Sequence, residues 1–203
     1  MDVIEAINKR RAYRSLAPVE ITEELVRDLA RCAQLAPTCN NNQPARFVFV
    51  WEPAMLEKMK AVFNRGNVWC HADSMVVAVC AEKEADCLIY DREYYLFDTG
   101  MQTALLILRA TELGLVAHPI AGYSPKSVRA VLGIPDSMQV ITLVNIGKHA
   151  DTISPVLSEK QVRDETQRPA RLPLEQVAFF NHYPSVEGGV KSEEGGVRRE
   201  ETT

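Results

Sequence analysis

"DTGMQTALLILRATELGLVAHPIAGY", residues Asp98 to Tyr123, carries two periodicities back to back. The first continues a helical pattern from about Glu93 to Leu113. Leu96, Phe97, Met101, Leu105, Leu106, Ile107 and Leu108 lie nearly all round its axis, and Gly114 supplies the stop. The second, "LVAHPIAGY", reads as a strand. A helix that is apolar on most sides must be covered on most sides. In a domain of this size it is therefore central, or shared with a second subunit. Gly100 inside it costs about 1 kcal/mol relative to Ala and suggests close approach by a neighbour.

Working outward, three runs read as buried strands: "RFVFVW" from Arg46, "SMVVAVCA" from Ser74 and "QVITLVNIGK" from Gln139. Helices fill the spaces between them. Asp2 caps a first helix with Val3, Ile4, Ala6 and Ile7 on its apolar face, and Thr22 caps a second with Leu25, Leu29, Cys32 and Ala36 in a stripe ahead of Pro37. Pro53 opens a third to about Phe63, and Ser124 with Pro125 opens a short one that closes at Gly133. Residues 149–187 are proline-rich with little periodicity, which suits an arm laid over a surface. The end repeats itself, "GGVKSEE" then "GGVRREE", and a charged heptapeptide of this kind buries no face. The expected organisation is one domain over residues 1–187 and a disordered charged tail over 188–203.

Lys and Arg total 23 against 27 for Asp and Glu, a formal charge of -4. Such a balance provides no global field for a nucleic acid or an anionic membrane. The N-terminus lacks the basic-then-apolar order of a signal peptide, and no apolar run approaches a membrane span, so a soluble cytoplasmic protein is expected. Five cysteines, Cys32, Cys39, Cys70, Cys80 and Cys87, form an odd set without a C-x-x-C pair or zinc-ligand spacing and read as reduced thiols. Cys39 alone sits in a turn.

Three constellations remain. Arg10, Arg11 and Arg14 crowd the end of the first helix; their guanidinium forks suit phosphate oxygens, but such a cluster is also an ordinary solvated helix end. Thr38, Asn41, Asn42 and Gln43 offer amides and a hydroxyl to a heterocycle edge, or form a plain turn. Arg168 and Arg171 precede "LPLEQV". No G-x-x-x-x-G-K or G-x-G-x-x-G occurs, so the triphosphate-loop and dinucleotide-fold readings drop away.

Taken together, "RRAYR", "APTCNNNQP", the Asp98 to Tyr123 stretch, "LGIP" and "RLPLEQV" resemble, in order and spacing, the FMN-dependent nitroreductase family over about Met1 to Val177. The resemblance implies an α+β fold with a central, mostly antiparallel sheet flanked by helices and an extended C-terminal arm. It implies a homodimer with FMN at the subunit interface. NAD(P)H would reduce the flavin, which would then reduce a nitroaromatic, quinone or related small-molecule acceptor. Family dehalogenases and dehydrogenases, and a flavin store or redox sensor without turnover, are the alternatives. Arg10, Arg11, Ala12 and Arg14 resemble the segment on the flavin phosphate and ribityl chain, with Ala12 in place of the usual serine. Pro37, Thr38, Cys39, Asn41 and Gln43 resemble a segment that reaches the flavin held mainly by the other subunit, and Ala45 stands where an aromatic is common. Asn67 resembles the amide on the pyrimidine edge, and the backbone of Ala121 and Gly122 the stretch over the ring near N5. Arg171, with Arg168 beside it, resembles the closing arginine on the phosphate. The resemblance assigns no catalytic side chain and no metal, because the flavin carries the redox chemistry. His118 lies in the flavin-adjacent stretch.

Overall fold

A computed structural model describes residues 1–184, so the expected tail over 188–203 lies outside the described residues. The chain divides into two compact units, Met1–Arg168 and Pro169 onward.

The first unit is built on an antiparallel sheet whose middle is β3 (Met75–Glu82). On one side β3 pairs with β2 (Ala45–Val50), and on the other with the long β7 (Met138–His149). The far strands β1 (Leu16–Ala17) and β6 (Val116–Ile120) both pair with β7, again antiparallel. The alternation of a strand sends Val76, Ala78 and Cys80 to one face and Met75, Val77 and Val79 to the other. The first face packs on Met59, Val62, Trp69 and Val128, contributed by α3 (Pro53–Met59), the 3-10 turns after it and α5 (Pro125–Leu132), and on Tyr123, just ahead of α5. The second packs on Val26, Leu29 and Ala33 of α2 (Glu23–Gln34) and on Leu106 and Ala110 of α4 (Tyr94–Glu112). The unbroken apolar run of β3 is thus a strand covered twice. A small hairpin, β4 (Leu88–Ile89) with β5 (Arg92–Glu93), leads into α4.

The caps stand where the sequence places them. Asp2 accepts from Glu5 N at 2.7 Å to start α1 (Val3–Lys9), Thr22 accepts from Leu25 N at 3.2 Å, and Ser124 accepts from Ser127 N at 3.2 Å. Gly114 and Gly133 take positive φ, as helix stops do.

Three expectations need correction. The buried stripe of α2 is Val26, Leu29, Ala33 and Ala36, with Cys32 only half-buried. "RFVFVW" is an edge strand, paired on one side only and half-buried. Residues 149–187 are not all irregular: α6 (Glu159–Thr166) belongs to the first unit and opens with a capping box between Ser158 and Gln161. Within the single chain α4 is covered on one face, not central. Its inner face carries Asp98, Thr99, Gln102, Thr103, Leu106 and Thr111, whereas Leu96 and Phe97 stand 47% and 62% exposed. Nothing within the described chain approaches Gly100. The inward hydroxyls of Thr103 and Thr111 satisfy themselves on carbonyls one turn back, at 2.7 and 2.8 Å.

In the second unit the described part holds a 3-10 turn, Leu174–Gln176, an edge-on contact of Phe179 with Tyr183 and a bond from Arg171 Nη1 to Pro169 O at 3.0 Å. Among the described residues no helix is long and apolar enough to cross a membrane.

Leu106 is fully buried where α4 meets the second sheet face. Leu106→Ala is expected to lower unfolding free energy by about 2–5 kcal/mol, read as a shift of the urea midpoint at unchanged slope.

Candidate functional site

The basic segment after α1 is organised by one buried carboxylate. Glu165, near the end of α6, is 5% exposed and accepts from Arg14 N at 2.8 Å and Ser15 N at 2.9 Å. These two bonds lay residues 10–15 along α6. Arg11 Nη2 donates to the carbonyls of Asp164 and Glu165 at 2.9 and 3.1 Å, near the C-terminal end of α6 where a cation is favoured, and its guanidinium lies over the Tyr13 ring. Arg168 Nη2 reaches back to Asn8 O and Arg10 O at 2.6 Å each and so braces the last turn of α1. The side chains of Arg11 and Arg168 thus hold the backbone. The Arg14 guanidinium is held loosely, 3.9 Å from Asp164.

From this knot a continuous run of contacts crosses the end of the sheet. Tyr13 O lies 3.0 Å from His118 Nδ1, and the His118 ring packs 4.7 Å from that of Trp69. Trp69 Nε1 donates to Asn67 Oδ1 at 3.2 Å, and Asn67 Nδ2 donates to Gly122 O at 2.9 Å. Asn64 N also donates to Gly122 O, at 3.0 Å. Tyr123 N bonds back to Ala121 O at 3.1 Å, a γ-turn centred on Gly122. Gly122 N–H donates to no acceptor among the described residues. A Cβ at Gly122 would come within 2.3 Å of Asn67 Nδ2, so this position must be glycine for the Asn67 bond to form. Arg10, Arg14, Asn67, Ala121 and Gly122 are thereby assembled in one neighbourhood, with Ala12 inside the braced segment. The Asn67 amide is engaged with Gly122 and Trp69, which makes it the residue that sets the turn. Arg171 belongs to the second unit.

Burial pushes the His118 imidazole down to about 4; the Tyr13 carbonyl opposes the shift and the Arg14 charge adds to it. His118 is therefore neutral at pH 7.

Pro37, Thr38, Cys39, Asn41 and Gln43 lie elsewhere on the first unit. Thr38 Oγ1 accepts from Gln43 N at 3.1 Å, Asn41 N donates to Thr38 O at 3.0 Å, and Gln43 Nε2 donates to Asn41 O at 3.2 Å. Asn40, Asn41 and Gln43 have positive φ of 50°, 58° and 52°. The exposed Asn41 side chain has no partner among the described residues. Among the described residues no hydrogen bond joins this loop to the arginine segment. Gln43 and Ala45 line an open cavity of about 400 Å³ with Arg31, Arg46, Phe49 and Gln102. The expectation of five reduced thiols is overturned here: Cys39 and Cys87 form a disulfide, their Cα atoms 6.2 Å apart. The fold brings together two loops 48 residues apart, which linear spacing cannot show. Cys70 and Cys80 are buried, with thiol pKa values pushed up by that burial.

Glu165, Trp69, Tyr13 and Asn64 escaped the sequence reading. A signal existed for Glu165 alone, through the Ser158–Gln161 capping box that marks α6 as a helix able to carry it.

The arrangement is an α+β nitroreductase-like fold with a cationic, glycine-turned candidate site. The nitroreductase family model matches residues 7–148, and the chain belongs to that family. A protein of Archaeoglobus fulgidus, provisionally named NADH dehydrogenase/NAD(P)H nitroreductase, is 29% identical over 154 residues, covering 74% of this chain and 87% of its own. A crystal structure described as an oxidoreductase containing FMN superposes with a TM-score of 0.78 at 24% identity, over 91% of this chain and 93% of its own. A provisionally named nitroreductase of Exiguobacterium sibiricum in complex with FMN superposes at 0.74 and 21% identity, over 89% and 97%. At these identities the two structures establish the fold.

Because the folded His118 titrates near 4 and an unfolded histidine near 6.5, the unfolded chain takes up the extra proton between these values. Stability should accordingly fall as pH drops from about 6.5 towards 4, by up to roughly 3 kcal/mol from this group. Urea unfolding of the protein and of His118→Phe across that window checks it, the variant showing the shallower dependence.

Proposed function

We propose that this protein is an FMN-dependent oxidoreductase, taking reducing equivalents from NAD(P)H and passing them to a nitroaromatic, a quinone or a related small acceptor. The observation that carries the reading is the run from the arginine knot through His118, Trp69 and Asn67 to Gly122. Cations stand at one end, a backbone N–H without an acceptor among the described residues at the other, and a neutral imidazole between. The donor set fits a mononucleotide. Arg10 and Arg14 suit a single terminal phosphate, the pattern lacks a pyrophosphate turn, and Gly122 N–H suits an acceptor on a ring edge.

FMN, when bound, supplies the two-electron redox chemistry that protein side chains lack. The chain's own residues do the rest. Arg14, with Arg10, takes up the phosphate charge; Arg11 and Arg168 keep the segment braced on α6 and α1. Asn67 and Asn64 pin Gly122 O and so fix the turn whose Gly122 N–H has no acceptor among the described residues. His118, kept neutral by burial, shapes the site and holds Tyr13 O, and water supplies protons to the acceptor.

A homodimer completes the reading. Val3, Ile4 and Ile7 on α1 and Leu96, Phe97 and Leu105 on α4 are apolar and exposed in the single chain. A second copy that covers these faces would bring its Asn41 loop to a site held mainly by the first. This explains why the loop and the arginine segment do not meet within one chain. The absence of membrane-crossing helices among the described residues and the even charge balance suit a cytoplasmic enzyme without nucleic-acid or membrane partners.

Cofactor released from purified protein and chromatographed against standards should be FMN; FAD, or a colourless protein that takes up no FMN, would overturn the reading. Anaerobic mixing with NADH and with NADPH should bleach the flavin with at least one of them. Arg14→Ala should weaken FMN binding by about 1.5–3 kcal/mol in a fluorescence titration. Sedimentation should show a dimer at micromolar concentration, and a folded, FMN-loaded monomer would remove the shared site.

A further inference from the structure

The Cys39–Cys87 bond joins two exposed segments that otherwise meet weakly. One is the turn Thr38–Gln43, where Asn40, Asn41 and Gln43 all hold left-handed backbone. Asparagine tolerates that region and glutamine does so poorly, so three such residues in one turn need outside restraint. The other is the segment that carries the β4/β5 hairpin, whose Leu88 and Tyr90 are exposed and whose Tyr90 also has positive φ, 59°. Besides the disulfide, the side-chain hydrogen bonds between them run through Asn42 and Asn40. Asn42 Nδ2 donates to Asp86 Oδ1 at 3.2 Å, and Asn40 and Asn42 both aim their amide nitrogens at Cys87 Sγ from 3.4 Å. Cys39 N is anchored separately, on Asp98 Oδ2 at 2.6 Å.

The pair also differs chemically from the other cysteines. Both sulfurs belong to half-buried residues, whereas Cys70 and Cys80 are buried thiols made inert by that burial. An Asp86 carboxylate oxygen lies within 4.8 Å of both sulfurs and disfavours charge on either, whereas two amide hydrogens lie on Cys87 Sγ alone, so of the two Cys87 is the better leaving group.

We infer that Cys39–Cys87 is a reversible cross-link, opened by a small dithiol, whose redox state sets the conformation of the Thr38–Gln43 turn. Its effect on catalysis rests on the function proposed above. In opening, one thiolate of the dithiol attacks Cys39 Sγ, the S–S electron pair leaves on Cys87, and the Asn40 and Asn42 amides solvate the new thiolate. The second thiolate of the dithiol then displaces Cys39, giving a cyclic disulfide and, after two protons are taken up, two cysteine thiols. Disulfide exchange with an oxidised small thiol reverses the sequence. Once open, Cys39 stays tethered through Asp98, while Asn40 to Gln43 keep only side-chain hydrogen bonds to the hairpin segment and relax. Asn41 and Gln43, which the proposed function turns towards the other copy's site, move with them.

The test uses the full chain. Protein equilibrated with oxidised and reduced glutathione is denatured, alkylated with N-ethylmaleimide and weighed intact; three adducts are expected, and five after dithiothreitol. Amide hydrogen exchange in peptides spanning residues 38–43 and 83–93 should be faster in the reduced protein, and Cys87→Ser should exchange fast with or without dithiothreitol. The acceptor KM should differ by about fivefold or more between the two states, the lower end of a usual coupling. Five adducts before reduction, or identical exchange in both states, would overturn the cross-link as a device. Changed exchange with unchanged KM would overturn its coupling to the site. Redox-dependent exchange in a protein that binds no FMN would uphold the device while the proposed function fails.

Discussion

From Met75 to Ala81 every residue of β3 is at least 99% buried, and this double-sided burial decides the architecture. A strand covered on both faces needs two separate apolar layers and two neighbouring strands, or its backbone polar groups go unpaired. β2 and β7 supply the neighbours, and α2 with α4 and α3 with α5 supply the layers. The site then forms at the end of the sheet where β6 leaves β7, because there the chain must turn at Gly122 while Trp69 and Tyr123 close the first core beneath it. Stability and site geometry share the same residues at this corner.

The arginine segment shows a second dependence. Four cations in nine residues repel one another, and nothing in their own sequence holds them in register. A carboxylate more than 150 residues away does so, by accepting two consecutive backbone N–H groups while two arginines bind backbone carbonyls. The guanidinium charges are thereby separated into braces and a loosely held outer group, Arg14. A charge cluster that looks uniform in sequence is divided by the fold into a guanidinium that braces backbone and one held only by a long ion pair.

The sequence makes the strands, the caps and the glycine stops legible, since each depends on residues within one turn or one pleat. Motif order also reveals the family. What stays hidden depends on distance along the chain: the Cys39–Cys87 pairing, the Glu165 anchor and the tie of Asn67 to Gly122 each join segments at least 48 residues apart. The helix α6 is a different kind of omission. Ser158 and Gln161 announce it, but the surrounding prolines mask a short helix of low apolar content.

The helix α4 was legible in length and illegible in orientation, and the reason bears on function. A count of apolar residues round the axis predicts cover on most sides, from this chain or a second, but not which face turns inward; the folded chain turns Asp98, Thr99, Gln102 and Thr103 inward and leaves Leu96 and Phe97 exposed in the single chain. Thr99 Oγ1 and Gln102 Oε1 are buried without a hydrogen-bond partner among the described residues. Such an inversion raises the free energy of a lone chain on both counts: apolar rings meet water, and polar atoms lose it. In the proposed homodimer a second copy over the outer face would remove the first cost. Asp98, which holds Cys39 N at 2.6 Å, is the neighbour of the exposed Phe97, so the same cover would bring the Cys39 turn close to the second copy. The feature that disfavours the isolated chain is thus the one that the proposed shared site would use.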